Sequence, residues 1–553
     1  MRKNKLLALG LAALMAASVA GCSTPSASVD DTKAAESGSD SSQSAAAGEK
    51  IFRYSNTADI ATIDPDKTNS VADATVSYHI YDGLYRNVQG ELQPATAESY
   101  EVSDDGLVYT FKLRQDTKWS DGQTVTAKDY EYGMKRLCDP AAACPASYLG
   151  AVLKNGAKVS EGELPVDELG VKALDDFTLE ITLENPADYF VSMTSMSAFM
   201  PVREDLVEKY GNEFGGSADK QVYNGPFVVT EYANGKVELA KNPDYYDNEK
   251  ISLDGVEILT VADQTTAVSM FDAGELDLAE VPTELAAQYE GKTQSYYSGA
   301  DDYAALNHRN KYLANKNLRL AMNYAVNREE YILLTHNGLY QANQRYVLPQ
   351  VRGVDGEYGT EYPLEAFPLQ GDMDKAKEYL DTALSELGLS SASDISLKLV
   401  VADSDTAKKE AEVVANQWKN NLGINIDINM VPYATKNALL VPGSDEYDII
   451  MSGWAPDYSD PSSYLELWYS TSGYNYLNYH SDEYDKYIDA SKTTSGKERM
   501  DNLFNAEKTL LEDGALVALQ LREVPYMVSD RVQNLGAYFV GLNYDYMYVD
   551  ITN

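Results

Sequence analysis

Leu397-Lys398-Leu399-Val400-Val401 is an apolar run of strand length, and Ile424-Asn425-Ile426-Asp427-Ile428-Asn429-Met430-Val431 is a second, alternating one. Between them Val413, Val414, Gln417 and Trp418 recur at helical spacing, and Gly423 stands where a helix would close. Strand, helix and strand in this order form a βαβ unit, which favours a parallel sheet and a right-handed crossover. A further helix over 374–387, ended by Gly388, supplies a second layer. Upstream, Leu107 to Leu113 and Phe177 to Leu183 alternate with period two, as half-buried strands do. Ser120-Asp121-Gly122 is a turn signal, and Thr126 with Asp129 forms a capping box that opens a helix through Leu137. The expected fold class is α/β, in a mixed α+β arrangement.

Composition sets the outer limits. The chain has 553 residues, of which 86 are acidic and 45 basic, and 44% are hydrophobic. That length predicts roughly two to four domains. A net charge of −41 excludes a phosphate-backbone binder, which needs a basic face, so nucleic acid is not an expected partner. No cofactor motif and no metal-ligand spacing is present: His79, His308, His336 and His480 are scattered, without CxxC or HExxH. Tyrosine is over-used, 42 against 11 Phe, which suits either a wet ligand cleft or a decorated surface.

The N-terminus carries an address. Arg2, Lys3 and Lys5 precede an apolar stretch from Leu6 to Ala20, too short to span a bilayer, and Val19-Ala20-Gly21-Cys22 resembles the bacterial lipobox. That resemblance implies a signal peptide over 1–21, acylation of Cys22, and a protein held on the outer side of the cell membrane. Residues 22–50 are rich in Ser, Ala, Gly and Asp and lack aromatics, so they read as a flexible tether of about 30 Å mean reach. In an oxidising exterior, Cys138 and Cys144 around a Pro-containing turn are expected to form a disulfide, the alternative being two buried thiols.

Five blocks in order carry a family resemblance. They are Thr62-Ile63-Asp64-Pro65 with Ile80-Tyr81-Asp82-Gly83-Leu84-Tyr85, and Trp119 to Tyr130 with Arg136 and Asp139-Pro140. Asn224-Gly225-Pro226-Phe227 with Lys241 to Tyr246 follows, then Leu318 to Arg328, then Gly453-Trp454-Ala455-Pro456-Asp457-Tyr458-Ser459-Asp460-Pro461. From about residue 51 onward the chain resembles the family 5 extracellular solute-binding proteins, the oligopeptide-binding lipoproteins of bacterial ABC importers. The resemblance implies a three-lobed clamshell with a hinge between its two main lobes. Lobe I would comprise 51–79, 204–304 and 525–553, lobe II 80–203, and lobe III 305–524.

The same resemblance places the ligand. Relatives hold an extended peptide by main-chain hydrogen bonds, as an added strand. The matching positions are Thr68-Asn69-Ser70-Val71 and Met451, Ser452, Gly453, Trp454 and Ala455. Asp457 occupies the place of the aspartate that pairs with the peptide's α-ammonium; the alternative is a turn residue before Ser459-Asp460-Pro461. The basic anchors that enteric relatives use for the peptide carboxylate are missing. Met451 stands for the arginine, Ser404 to Lys408 contain no histidine, and His336 only neighbours the lysine position. Expected partners are an oligopeptide, ABC permease subunits and, through the lipid, the membrane, with the chain itself a monomer. Other readings are a metal chelate, an oligosaccharide or a signalling peptide on the same scaffold. A secreted hydrolase using Asp457 and Asp460 is a further one, but no GxSxG or other nucleophile motif supports catalysis.

Overall fold

The computed structural model describes residues 49–68, 70–88, 90–538 and 540–552. The expectations for the signal peptide, for Cys22, for nearly all of the tether and for Asn69 lie outside the described residues.

The βαβ reading holds. Ser396–Ala402 and Asn425–Val431 pair in parallel, Leu399 opposite Ile428, with Asp405–Leu422 as the intervening helix. Ser404 caps that helix by accepting from the Ala407 amide, and Gly423 ends it at φ +74°, a conformation that costs a glycine little. The helix Met373–Leu387 ends in the same way at Gly388.

These strands form one end of an 11-stranded sheet. From that end the order is Asn425–Val431, Ser396–Ala402, Ile449–Trp454, Gln294–Leu306, Leu516–Val528, Leu278–Glu280, Ile51–Asn56, Gly255–Thr260, Lys236–Lys241 and Phe227–Ala233, with the short Gln341–Ala342 paired to Leu516–Val528 off this path. The two central strands, 13 residues each, run antiparallel and carry the sheet from one half to the other. Their register breaks between Tyr297 and Asp301, where Gly299 has φ +77°. A bulge leaves residues unpaired and bends the strand there.

Period-two alternation sorts this sheet's side chains into two cores. Tyr303, Ala305, Val400, Ile450 and Ala518 pack on one face with Trp468 and Leu503. Ala304, Leu306, Leu399, Val401, Ile449 and Val517 pack on the other with Trp418 and Met322. Burial on both faces is why the Leu397 run reads as continuously apolar.

A second sheet of four antiparallel strands, Ala97–Val102, Val108–Leu113, Thr178–Thr182 and Val171–Asp175, packs against the helix Ala127–Cys138. The capping box is formed: the Asp129 carboxylate accepts from the Thr126 amide at 2.7 Å. Its core is continuous with that of the Ile51–Asn56 strand, from Phe52 and Tyr54 through Phe111 to Phe199. Among the described residues no helix is long and apolar enough to cross a membrane.

The expected disulfide is absent. Cys138 and Cys144 are both free and buried. Cys138 closes its helix with Sγ against Gly150, whose missing Cβ leaves the space, and Cys144 Sγ donates to the Arg136 carbonyl at 3.5 Å. Both thiols are thereby occupied with other neighbours. Burial pushes Cys138 up to about 11 and Cys144 up to about 12, so neither is a ready thiolate.

Candidate functional site

The Gly453-to-Asp457 motif leaves the sheet where the strand Ile449–Trp454 ends. Met451 and Ser452 lie inside this strand, opposite Ala304 and Tyr303, and both side chains are nearly buried. Ser452 Oγ accepts from the Tyr476 hydroxyl at 3.1 Å, and that hydroxyl also meets Tyr303 Oη at 2.6 Å. Gly453 faces Asp302, and a Cβ there would lie 2.3 Å from Asp302 Oδ1 and 3.0 Å from the Asp301 carbonyl. Asp302 has little freedom to retreat, because Arg522 holds it through two bonds of 2.6 and 2.7 Å and Gln520 through a third at 2.9 Å.

After the strand the chain turns outward. Trp454 is half-buried; its Nε1 donates to the Ser463 carbonyl at 2.8 Å and its ring meets Tyr474 edge-on. Ala455 is exposed. The Asp457 amide donates to Ser463 Oγ at 2.9 Å, which ties this loop to the following helix.

Asp457 is half-buried, and its Oδ1 accepts from the Tyr148 hydroxyl at 2.8 Å. Desolvation raises its carboxyl above the ordinary carboxylate range, and the Tyr148 bond only partly offsets this. Among the described residues no cation pairs with it. Asp460 is the opposite case. It is buried, gripped by Arg499 through bonds of 2.7 and 2.8 Å, and it accepts from the amide and hydroxyl of Ser462. An aspartate paired with a buried arginine and bonded to the amide and hydroxyl of Ser462 structures the turn.

Tyr148 belongs to the segment that carries the four-stranded sheet, and three further contacts run the same way. Tyr189 stacks on Tyr458 with centroids 4.4 Å apart and planes 7° from parallel, and the Arg499 guanidinium lies 5.0 Å from the Tyr189 centroid. Asp188 Oδ2 accepts from the Gly496 amide at 2.6 Å. None of these partners was visible in the sequence, where Tyr148 and Tyr189 are two tyrosines among 42.

The other predicted positions are placed less directly. Val71 opens the helix Val71–Ile80 with a half-exposed side chain, behind Ser70 as cap, and Thr68 Oγ1 meets Ser197 Oγ at 2.8 Å. Among the described residues no hydrogen bond joins 68–71 to 451–457. His336 pairs with Glu410 at 2.9 Å and stacks on Tyr340. Lys436, unremarked in the sequence, donates to the Met451 carbonyl at 3.1 Å, and desolvation lowers its pKa. Among the described residues no group of His, Cys, Asp or Glu converges as a metal site.

A mixed sheet crossed by two bulged strands, with a desolvated carboxylate facing a second part of the chain, defines a binding protein of the clamshell class. The family model of the bacterial extracellular solute-binding proteins, family 5 (middle), matches residues 91–476, and the chain belongs to that family, whose members are binding proteins and not enzymes. The oligopeptide-binding protein OppA of Bacillus subtilis (strain 168) is 30% identical over 468 residues, covering 83% of this chain and 84% of that protein. The dipeptide-binding protein of Lactococcus lactis subsp. cremoris (strain MG1363) is 28% identical over 521 residues, covering 90% and 94%. Among solved structures, Listeria monocytogenes OppA bound to peptide superposes with a TM-score of 0.74 at 30% identity, covering 92% of this chain and all of that one.

Proposed function

We propose that this protein captures oligopeptides outside the cell and delivers them to the permease of an ABC importer. The observation that carries the reading is Asp457: a desolvated carboxylate whose only side-chain partner among the described residues is a neutral phenol. A buried carboxylate without a cation is costly, and an α-ammonium supplies the missing charge. The names of the relatives, and the peptide in the Listeria structure, support peptides as the ligand class. The main chain of 451–455, together with Asn69 and Val71, would pair with the peptide backbone, which confers breadth because such bonds ignore side chains.

Closure follows from the proposed lobes, 51–79 with 204–304 and 525–553 as the first, 80–203 as the second and 305–524 as the third. The hinge would lie where the two crossing strands, Gln294–Leu306 and Leu516–Val528, pass between the first and third lobes, near 304–305 and 524–525. Cys22, acylated, would hold the chain at the outer membrane face by the 22–50 tether, as a monomer. Calorimetric titration with a peptide mixture, followed by small-angle scattering with and without the tightest binder, tests the reading. Saturable binding with a smaller radius of gyration is expected. Binding of chelates or oligosaccharides in place of peptides would overturn it.

A further inference from the structure

A cavity of about 260 Å³ lies away from Asp457, and three cations line it: Arg86, Arg114 and Lys250. Arg86 lies on Tyr85–Val88, a strand of a two-stranded sheet just before the four-stranded one, and Arg114 follows the strand Val108–Leu113, whereas Lys250, Asp247 and Tyr548 come from the part of the chain built on the large sheet.

Each arginine is held by part of its guanidinium. Arg86 is only 3% exposed; Nε donates to Asp82 at 3.0 Å, and Nη2 donates to the Tyr78 and Tyr81 carbonyls. Its Nη1 is buried and has no partner among the described residues. Arg114 lies over the Tyr246 ring, 4.0 Å from its centroid, and gives Nε and Nη2 to Asp116. Its Nη1 is likewise without a partner among the described residues. Asp116 is 63% exposed, so water screens that pair. The lining carboxylate, Asp247, is paired with Lys250 at 2.8 Å.

Two arginines that line one cavity therefore each keep one guanidinium nitrogen without a partner among the described residues, and that of Arg86 is buried. A buried charged donor without an acceptor is unfavourable and calls for an explanation, and an acceptor held in the adjoining cavity supplies one. Planar N–H edges match the oxygens of a carboxylate or phosphate. We propose that this cavity binds a small oxyanion, tying residues 86–114 to residues 245–250 and 547–548 independently of the peptide site.

The test is calorimetric titration of the full chain with inorganic phosphate, and separately with acetate, at constant ionic strength made up with chloride. Thermal unfolding is measured alongside. Saturable binding of either anion with a rise in Tm is expected, and the arm that saturates identifies a tetrahedral or a planar ligand. Arg114→Gln, at a partly exposed position, should weaken the anion at least tenfold while leaving peptide affinity unchanged. Arg86→Lys, which keeps the charge and loses the fork, should do the same. No saturable heat from either anion, or equal affinity in wild type and Arg114→Gln, would overturn the proposal without touching the peptide reading.

Discussion

The Tyr148 hydroxyl reaches Oδ1 of Asp457 at 2.8 Å across 309 residues of chain. One partner comes from the segment of the four-stranded sheet and the other from the loop leaving the large sheet. A cation taking Asp457 as partner would sit at the contact between the two.

Replacing Asp457 with Asn keeps the side chain's shape and removes the charge. Losing one member of a buried, hydrogen-bonded pair costs about 2–5 kcal/mol, or roughly 30-fold to a few thousand-fold in affinity. N-acetylation of the peptide should weaken wild-type binding by a similar order. Both changes together should cost much less than their sum, since no charge is left unpaired. Calorimetry of the four combinations measures this. Equal wild-type affinity for free and acetylated peptide would make Asp457 structural.

Peptide affinity should depend on pH through the same group. Burial raises the Asp457 carboxyl, so it takes up a proton at a pH where an exposed aspartate is still ionised. An ammonium ligand requires the ionised form. Affinity should therefore fall as pH drops through the raised value, with protons released on binding in that window. Titrations in two buffers of different ionisation heat detect the protons, and Asp457→Asn should abolish the effect. In the free protein the sign is opposite: a raised carboxyl adds stability as pH falls.

Gly453→Ala is expected to destabilise the protein by about 1–3 kcal/mol, as overpacking does. Its Cβ would meet an Asp302 carboxylate already pinned by Arg522 and Gln520, with the Asp301 carbonyl behind it. Urea unfolding measures the loss. An unchanged midpoint would mean that Asp302 has room to move.

His308 sets part of the acid sensitivity. Burial, with Arg319 nearby, pushes its imidazole down to about 3, and its Nε2 lies 3.1 Å from the Ala515 carbonyl. The unfolded chain takes up this proton below about pH 6.5, whereas the folded chain does so only near 3. Stability should fall as pH drops between those values, by up to about 1.4 kcal/mol per pH unit from this residue. His308→Gln should flatten that slope in denaturant titrations across the range.

Cys22→Ala should release the protein from membranes without altering peptide affinity, since the proposed lipid is separated from the lobes by the tether. Cell fractionation decides it. Equal membrane retention of the variant would remove the lipid-anchor reading.

Local chemistry was legible from the sequence alone. The Thr126–Asp129 box, the glycine caps at 388 and 423 and the βαβ unit at 396–431 each depend on residues close together in the chain, so period and spacing were enough to find them. Asp457 was singled out by the resemblance of the Gly453-to-Pro461 stretch to a family motif, not by period or spacing. Pairing across hundreds of residues was decided only in three dimensions. Spacing brought Cys138 and Cys144 close enough to suggest a bond, yet side-chain direction turned each toward a different neighbour. The order of the large sheet, the register break at Gly299, and the choice of Tyr148 rather than any other tyrosine for Asp457 come from packing. Sequence periodicity records which face of an element is apolar; which distant element covers that face is settled by the fit of many surfaces at once.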